Sequence, residues 1–218
     1  MSSNGKSKYK VTKVFTDYDG KSHDFSVLQI DNTKQDVPTI KLAPSTLYRN
    51  SIVTDQNKLL TTGYGIDLNK DGYNYKSNLQ YGHVIPTSDS NALATVNNGV
   101  NWLYKQSNYQ VYLGSATSLY DQSNMFATCS AQPTDHGDSG GPIFYQKNNG
   151  DYILIGDTSW GLTISNGYNG YWSYNFCINH QGENKEGTKL SVFTDLSYKS
   201  TNYQLLEKYL TQINEDRT

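Results

Sequence analysis

Short runs of β-branched and aromatic residues, broken every few positions by Gly, Asn, Asp or Pro, constrain this chain more than any other feature. Lys10–Phe15 and Phe25–Ile30 flank the turn signal Asp17-Tyr18-Asp19-Gly20 and read as neighbouring strands. Pro38 and Pro44 bracket a short apolar piece, Thr39–Leu42. From about Ser51 onward the pattern recurs at Lys58–Thr62, Leu79–Ile85, Gln110–Leu113, Ile143–Gln146, Tyr152–Ile155 and Lys189–Thr194. Several short strands with this punctuation predict an all-β barrel or sandwich. The composition agrees. Only 35% of residues are hydrophobic and 17% charged, while Tyr occurs 19 times, a mixture that suits strands and turns better than long helices.

One segment departs from the pattern. In Tyr203–Glu215, the residues Leu205, Leu206, Tyr209, Leu210 and Ile213 fall on one helical stripe, and Ser200, Thr201 and Asn202 supply N-caps. The spacing predicts a C-terminal amphipathic helix docked on the β body. The Gly/Asn/Tyr-rich stretch 166–184 reads as a long loop.

The net charge of −2 gives no electrostatic footprint for nucleic acid or for an anionic membrane, and neither is expected as a partner. No apolar run is long enough to span a bilayer, and Met1–Lys8 has no hydrophobic segment of the kind a signal peptide needs. There is no Asn-x-Ser/Thr acceptor site for N-glycosylation. The two cysteines, Cys129 and Cys177, can form one disulfide or remain two thiols; their spacing does not decide.

Chemistry concentrates in Gly137-Asp138-Ser139-Gly140-Gly141-Pro142. The glycines permit backbone angles that side-chain-bearing residues resist. In such a turn the Ser139 hydroxyl projects outward, and the amides of Gly137 and Ser139 converge where an oxyanion would form. Ser139 thus reads as an acyl-transfer nucleophile that needs a histidine base held by a carboxylate.

This hexapeptide, followed by Ser159-Trp160-Gly161, resembles the trypsin/chymotrypsin family of serine endopeptidases. The resemblance extends to Gly63-Tyr64-Gly65, to Leu79-Gln80-Tyr81 with Val84-Ile85-Pro86, and to Ser191-Val192-Phe193-Thr194 before the C-terminal helix. Asp24–Ile30 resembles the strand that carries the family's triad aspartate. The resemblance implies a double antiparallel β-barrel with a C-terminal α-helix. Residues 1–45 would be the remnant of an incomplete first barrel, 46–197 the second barrel with the nucleophile, and 198–218 the helix. It implies peptide-bond hydrolysis through an acyl-enzyme, without cofactor or metal, on a polypeptide substrate or with a polypeptide inhibitor. By the same resemblance Ser139 is the nucleophile and Asp24 the carboxylate that orients the base. Gly137 and Ser139 form the oxyanion hole, and Ser159, Trp160 and Gly161 the edge that pairs with substrate. Pro133 falls at the base of the primary pocket, with His136 at its rim, and Asp135 is a neighbouring carboxylate that a shifted alignment would place there. The family's usual linkage of these regions implies a Cys129–Cys177 disulfide, and its usual destination a secreted protein.

Two family features are missing. No Thr-Ala-Ala-His-Cys-like stretch supplies the base. His23 adjoins Asp24, and adjacent strand residues face opposite ways. His83 reads as a strand histidine, His180 as a loop residue, and His136 has no evident orienting group. The Ile-Val-Gly-Gly-like N-terminus, whose freed amine pairs with the acid corresponding to Asp138, is absent as well. Asp138, the activation carboxylate, is therefore expected to hydrate or to let the oxyanion turn collapse. These gaps lead to the expectation of an impaired or inactive chain, either truncated and lacking its histidine-bearing segment, completed by another chain, or a peptide-binding pseudoprotease. Asp67-Leu68-Asn69-Lys70-Asp71-Gly72 imitates the start of a calcium loop but lacks the closing acid, since position twelve is Asn78; a surface loop is the better reading.

Overall fold

The computed structural model describes residues 9–19, 22–31, 38–54, 59–66, 78–106, 116–165, 171–173, 176–179 and 181–215. In chain order, strands β1 (Val11–Phe15), β2 (Val27–Ile30) and β3 (Lys41–Leu42) precede helix α1 (Arg49–Thr54). Strands β4 (Leu59–Gly63), β5 (Gln80–Val84) and β6 (Pro86–Thr87) then lead into helices α2 (Asp89–Gln106) and α3 (Ala116–Leu119). Next come β7 (Met125–Ser130), β8 (Pro142–Gln146), β9 (Tyr152–Gly161), β10 (Thr163–Ser165), β11 (Tyr171–Ser173), β12 (Phe176–Ile178) and β13 (Asn184–Glu186). Strand β14 (Lys189–Asp195) and helix α4 (Thr201–Glu215) complete the described chain.

The main sheet has the order β5-β4-β8-β9-β14-β7-β6, with β3 added in parallel to β9. Its two ends belong to one piece of chain, because β5 runs through Ile85 into β6. The Ile85 amide donates to Ser130 Oγ at 2.8 Å, and its carbonyl accepts from the Cys129 amide at 2.8 Å. The sheet thereby closes into a barrel in which most strand edges are paired. Leu59, Val84, Phe126, Ile143, Ile155 and Phe193 pack together in one core, with the Phe126 and Phe193 rings stacked at 5.4 Å. The fold is the mostly-β barrel with a C-terminal helix that the sequence predicts.

Successive residues of β7 and β14 serve two cores, as the two-residue period of a strand requires. Phe126 and Phe193 join the cluster just described, while Met125, Ala127, Leu190 and Val192 meet Ala92, Val96 and Val100 of α2. The sequence reading does not include α2. Its apolar residues recur every four positions, but Asn97, Asn98 and Gly99 are weak helix formers, so propensity hides the pattern. Packing overrides propensity, and Ser88 caps the helix by accepting the Asn91 amide at 3.2 Å. A Cβ at Gly99 would strike Leu162, so close packing requires glycine there.

The stretch 166–184, expected as a long loop, contains strands β11 and β12 among its described residues, and these form hairpins with β10 before it and with β13 at its end. Tertiary bonds fix the second. Thr87 Oγ1 donates to the Ile178 carbonyl (2.8 Å), the Ile178 amide to Thr95 Oγ1 (2.9 Å), and Asn91 Nδ2 to the Asn179 carbonyl (2.7 Å). Cys129 and Cys177 form a disulfide that ties β12 to β7, with Cα atoms 5.7 Å apart. Gln110–Leu113 and Asp67–Gly72 lie outside the described residues.

Strands β1 and β2 form a separate two-stranded ribbon. It is held by Phe15 and Phe25, which pack with Leu206, Tyr209 and Ile213 of α4. Helix α4 presents the predicted stripe. Ser200 caps it by accepting the Tyr203 amide at 3.0 Å while its hydroxyl donates to the Asp195 carbonyl at 2.8 Å. This junction brings the ribbon, and Asp24 with it, against β14 and β9.

Candidate active site

The nucleophile turn is built from local bonds and then docked on β9. Gly137 and Gly140 have φ of 96° and 73°, in the region that favours glycine. The Asp138 amide donates to the Asp135 carbonyl (3.0 Å), and the Gly141 amide to the Asp138 carbonyl (2.7 Å). The Gly140 amide donates to the Thr158 carbonyl (2.9 Å), and the Thr158 amide returns a bond to the Gly141 carbonyl (2.8 Å). Ser139 is left exposed at the tip. Among the described residues, neither its hydroxyl nor the amides of Gly137 and Ser139 are engaged by a protein group, so all three remain available to a ligand.

Asp138 behaves differently from its expectation. Its Oδ1 accepts the Gly65 amide at 2.7 Å and its Oδ2 accepts the Asp135 amide at 2.9 Å. Among the described residues, backbone donors hold the carboxylate and no ammonium group pairs with it, and the turn stands without collapse. In place of the expected hydration or collapse of the turn, one backbone amide serves each carboxylate oxygen. A Cβ at Gly63 or Gly65 would run into that carboxylate, which accounts for the glycines on either side of Tyr64.

Ser159 is the extra residue of a β-bulge: Val192 pairs with Trp160 and Phe193 with Thr158, leaving Ser159 without an opposite number on β14. A bulge redirects a side chain. Here the Ser159 hydroxyl donates to Asp24 Oδ2 at 2.7 Å, across 135 residues of sequence. Thr194 Oγ1 donates to the Asp24 backbone carbonyl at 3.1 Å. The structure therefore brings Asp24 to β9 one residue beyond the point where the nucleophile turn docks.

The histidines are dispersed. His23 Nδ1 shares a 2.6 Å hydrogen bond with Asn202 Oδ1, which commits that ring nitrogen to α4. His83 is exposed on β5, paired with Leu60. His136 is exposed just ahead of the turn; its amide donates to Asp135 Oδ1 at 2.7 Å. His180 lies outside the described residues.

On the other flank of the turn, Pro133 is half-buried and Thr134 buried, and the Thr134 amide donates to Ser191 Oγ at 3.0 Å. A Cβ built on Gly161 would stand 3.2 Å from the Leu190 carbonyl and 3.8 Å from that of Thr134, so these three segments converge. Trp160 packs against the α2 core. Asp135 Oδ2 lies 3.9 Å from Lys189 Nζ, whose pKa burial pushes below the usual lysine range against the pull of Asp135. Beyond Thr158, β9 pairs with β14 alone among the described strands, so Ser159–Gly161 offers an open backbone edge.

The sequence reading missed Asp157, two residues before Ser159. Burial first, and the nearby charge of Asp24 in addition, push its carboxyl up to about 6 against the lowering effect of the Thr194 hydroxyl. A usable signal was present: a lone acidic residue inside the otherwise uncharged strand run Tyr152–Ser159.

A closed antiparallel barrel with a C-terminal helix, bearing a glycine-framed serine turn docked on one strand, defines a protein of the trypsin-like β-barrel class. The family model described as Trypsin matches residues 1–181, and the chain belongs to the trypsin family. Comparison with curated proteins gives no match.

Proposed function

We propose that this chain is the body of a serine endopeptidase. Ser139 attacks a peptide carbonyl and the amides of Gly137 and Ser139 bind the oxyanion. Asp24 orients the histidine that takes the serine proton and returns it to the leaving amine, and water then hydrolyses the acyl-enzyme. An extended peptide or inhibitor adds to the Ser159–Gly161 edge as a strand. No cofactor or metal enters this chemistry. The observation that carries the reading is the Ser159–Asp24 hydrogen bond, made from the strand on which the nucleophile turn is docked. The pairing of Asp135 with Lys189 argues against Asp135 as a free carboxylate for Arg or Lys side chains. Family membership together with the Cys129–Cys177 disulfide supports an extracellular setting.

Among the described residues no histidine is bonded to Asp24 or to Ser139. The commitment of His23 to Asn202 and the place of His83 on β5 favour a histidine contributed by an upstream segment or a complementing chain, and low or no activity without it. The same observation favours a second reading, a pseudoprotease that binds peptide in the same cleft without cutting it. A fluorophosphonate probe separates the two. Stoichiometric labelling that is lost in Ser139→Ala establishes a working nucleophile in this chain and removes the missing-base argument. No labelling, with peptide binding retained, supports the pseudoprotease. Absence of both overturns the site.

A further inference from the structure

Asp157 carries a carboxyl that the proposed reaction does not use. It stands opposite Pro142 on β8 and Thr194 on β14, and its Oδ1 is closed to solvent with no hydrogen-bonding partner. An ionised oxygen buried without a donor is costly, whereas a carboxylic acid can itself donate. Thr194, the cross-strand neighbour of Asp157, donates its hydroxyl to the Asp24 carbonyl at 3.1 Å and also acts on the Asp157 carboxyl. A hydroxyl has one proton. While Thr194 gives that proton to Asp24, its contact with Asp157 is satisfied only by a proton from Asp157. Once Asp157 ionises, the hydroxyl is drawn to the new carboxylate and the Asp24 carbonyl loses its donor.

The surrounding charges favour the protonated form. Asp24 is the charged group that acts on Asp157, and among the described residues no lysine or arginine does so. Asp195, next along β14, is engaged by Ser197 and faces Arg49 at 3.8 Å. Strand β8 presents Pro142, and His23, beside Asp24 in the chain, is bonded to Asn202.

We propose that Asp157 is a positioning residue for Asp24: it holds a proton that directs the Thr194 hydroxyl to the Asp24 carbonyl and leaves Asp24 the single negative charge beside Ser159. Release of that proton to solvent reverses both effects. The inference rests on the reading of Asp24 as the base-orienting carboxylate. It makes that carboxylate sensitive to pH near 6, where burial places the Asp157 transition.

The test is a pH titration of the whole chain with 13C-labelled aspartate carboxyls, followed by NMR. Asp157 is expected to titrate near 6. Its midpoint moves down in Asp24→Asn, which removes the neighbouring charge, and up in Thr194→Val, which removes the hydroxyl. The Asp24 resonance shows a step at the Asp157 midpoint, and that step vanishes in Asp157→Asn. Should Asp157→Asn fail to fold, the Asp24→Asn and Thr194→Val shifts decide. An Asp157 that titrates like a solvent-exposed aspartate, or an Asp24 resonance blind to it, overturns the proposal. These readings are taken on the resting protein. An inert Ser139 would therefore remove the peptidase reading and leave this coupling measurable, and probe labelling with unlinked titrations would remove the coupling alone.

Discussion

Strands β7 and β1 have nearly the same length, six and five residues, and opposite fates. Every residue of β7 is buried, whereas in β1 only Phe15 is. β7 lies in a closed barrel with α2 over its outer face, so both of its side-chain rows are covered. β1 belongs to a two-stranded ribbon, and Val11, Val14 and Leu28 face solvent. A two-stranded ribbon has too little area to hold itself together in water. Its order comes from Phe15 and Phe25 against α4. The two proposed halves of the site inherit this difference: Ser139 stands on the barrel, and Asp24 stands on a segment whose place depends on a helix.

This contrast can be broken experimentally. Phe193→Ala, in the barrel core, should cost about 4 kcal/mol and lower the melting temperature of the whole molecule, because the barrel unfolds as a unit. Phe15→Ala should cost about 3 kcal/mol but act locally. Hydrogen exchange should show loss of protection in β1 and β2 with β7 and β14 unchanged; equal loss in both would erase the distinction. Asp157→Asn tests the barrel side of the junction with Asp24. The folded-state pKa of Asp157 is raised to about 6, so its contribution is fully present below the unfolded value near 4 and is lost as pH rises through 6. The variant should therefore gain on the native protein by up to about 3 kcal/mol at neutral pH, with the difference closing below pH 4 in denaturant titrations at several pH values. Asp138→Ala removes two charge-assisted bonds and should cost about 2 kcal/mol. Its exchange signature should be faster amides at Gly65 and Asp135. Val14→Thr, on the exposed face of the ribbon, should change stability by less than about 0.5 kcal/mol.

The nucleophile turn was legible because its constraints are local: glycines where φ is positive, a serine between them, and bonds spanning three residues. The helix α4 was legible because its apolar stripe and Ser200 cap are written in one stretch. Helix α2 was not, since Asn97, Asn98 and Gly99 argue against helix and only the packing of Ala92, Val96 and Val100 on β7 and β14 outweighs them. The hairpin β12–β13 escaped for the same reason: its register is fixed by Thr87, Asn91 and Thr95, more than eighty residues away.

By itself the sequence determined the chemistry on offer: one serine in a glycine turn, one plausible orienting carboxylate, two cysteines, and four histidines of which none stands in a recognisable base motif. Tertiary structure decided what each polar group meets. It gave Asp138 the amides of Gly65 and Asp135, bonded His23 to Asn202, and set Asp157 beside Thr194 and Asp24 with one oxygen unpartnered. The division has a physical cause. Backbone geometry is set within a few residues, whereas the charge state of a buried carboxyl depends on which distant donors and charges the closed barrel brings to it.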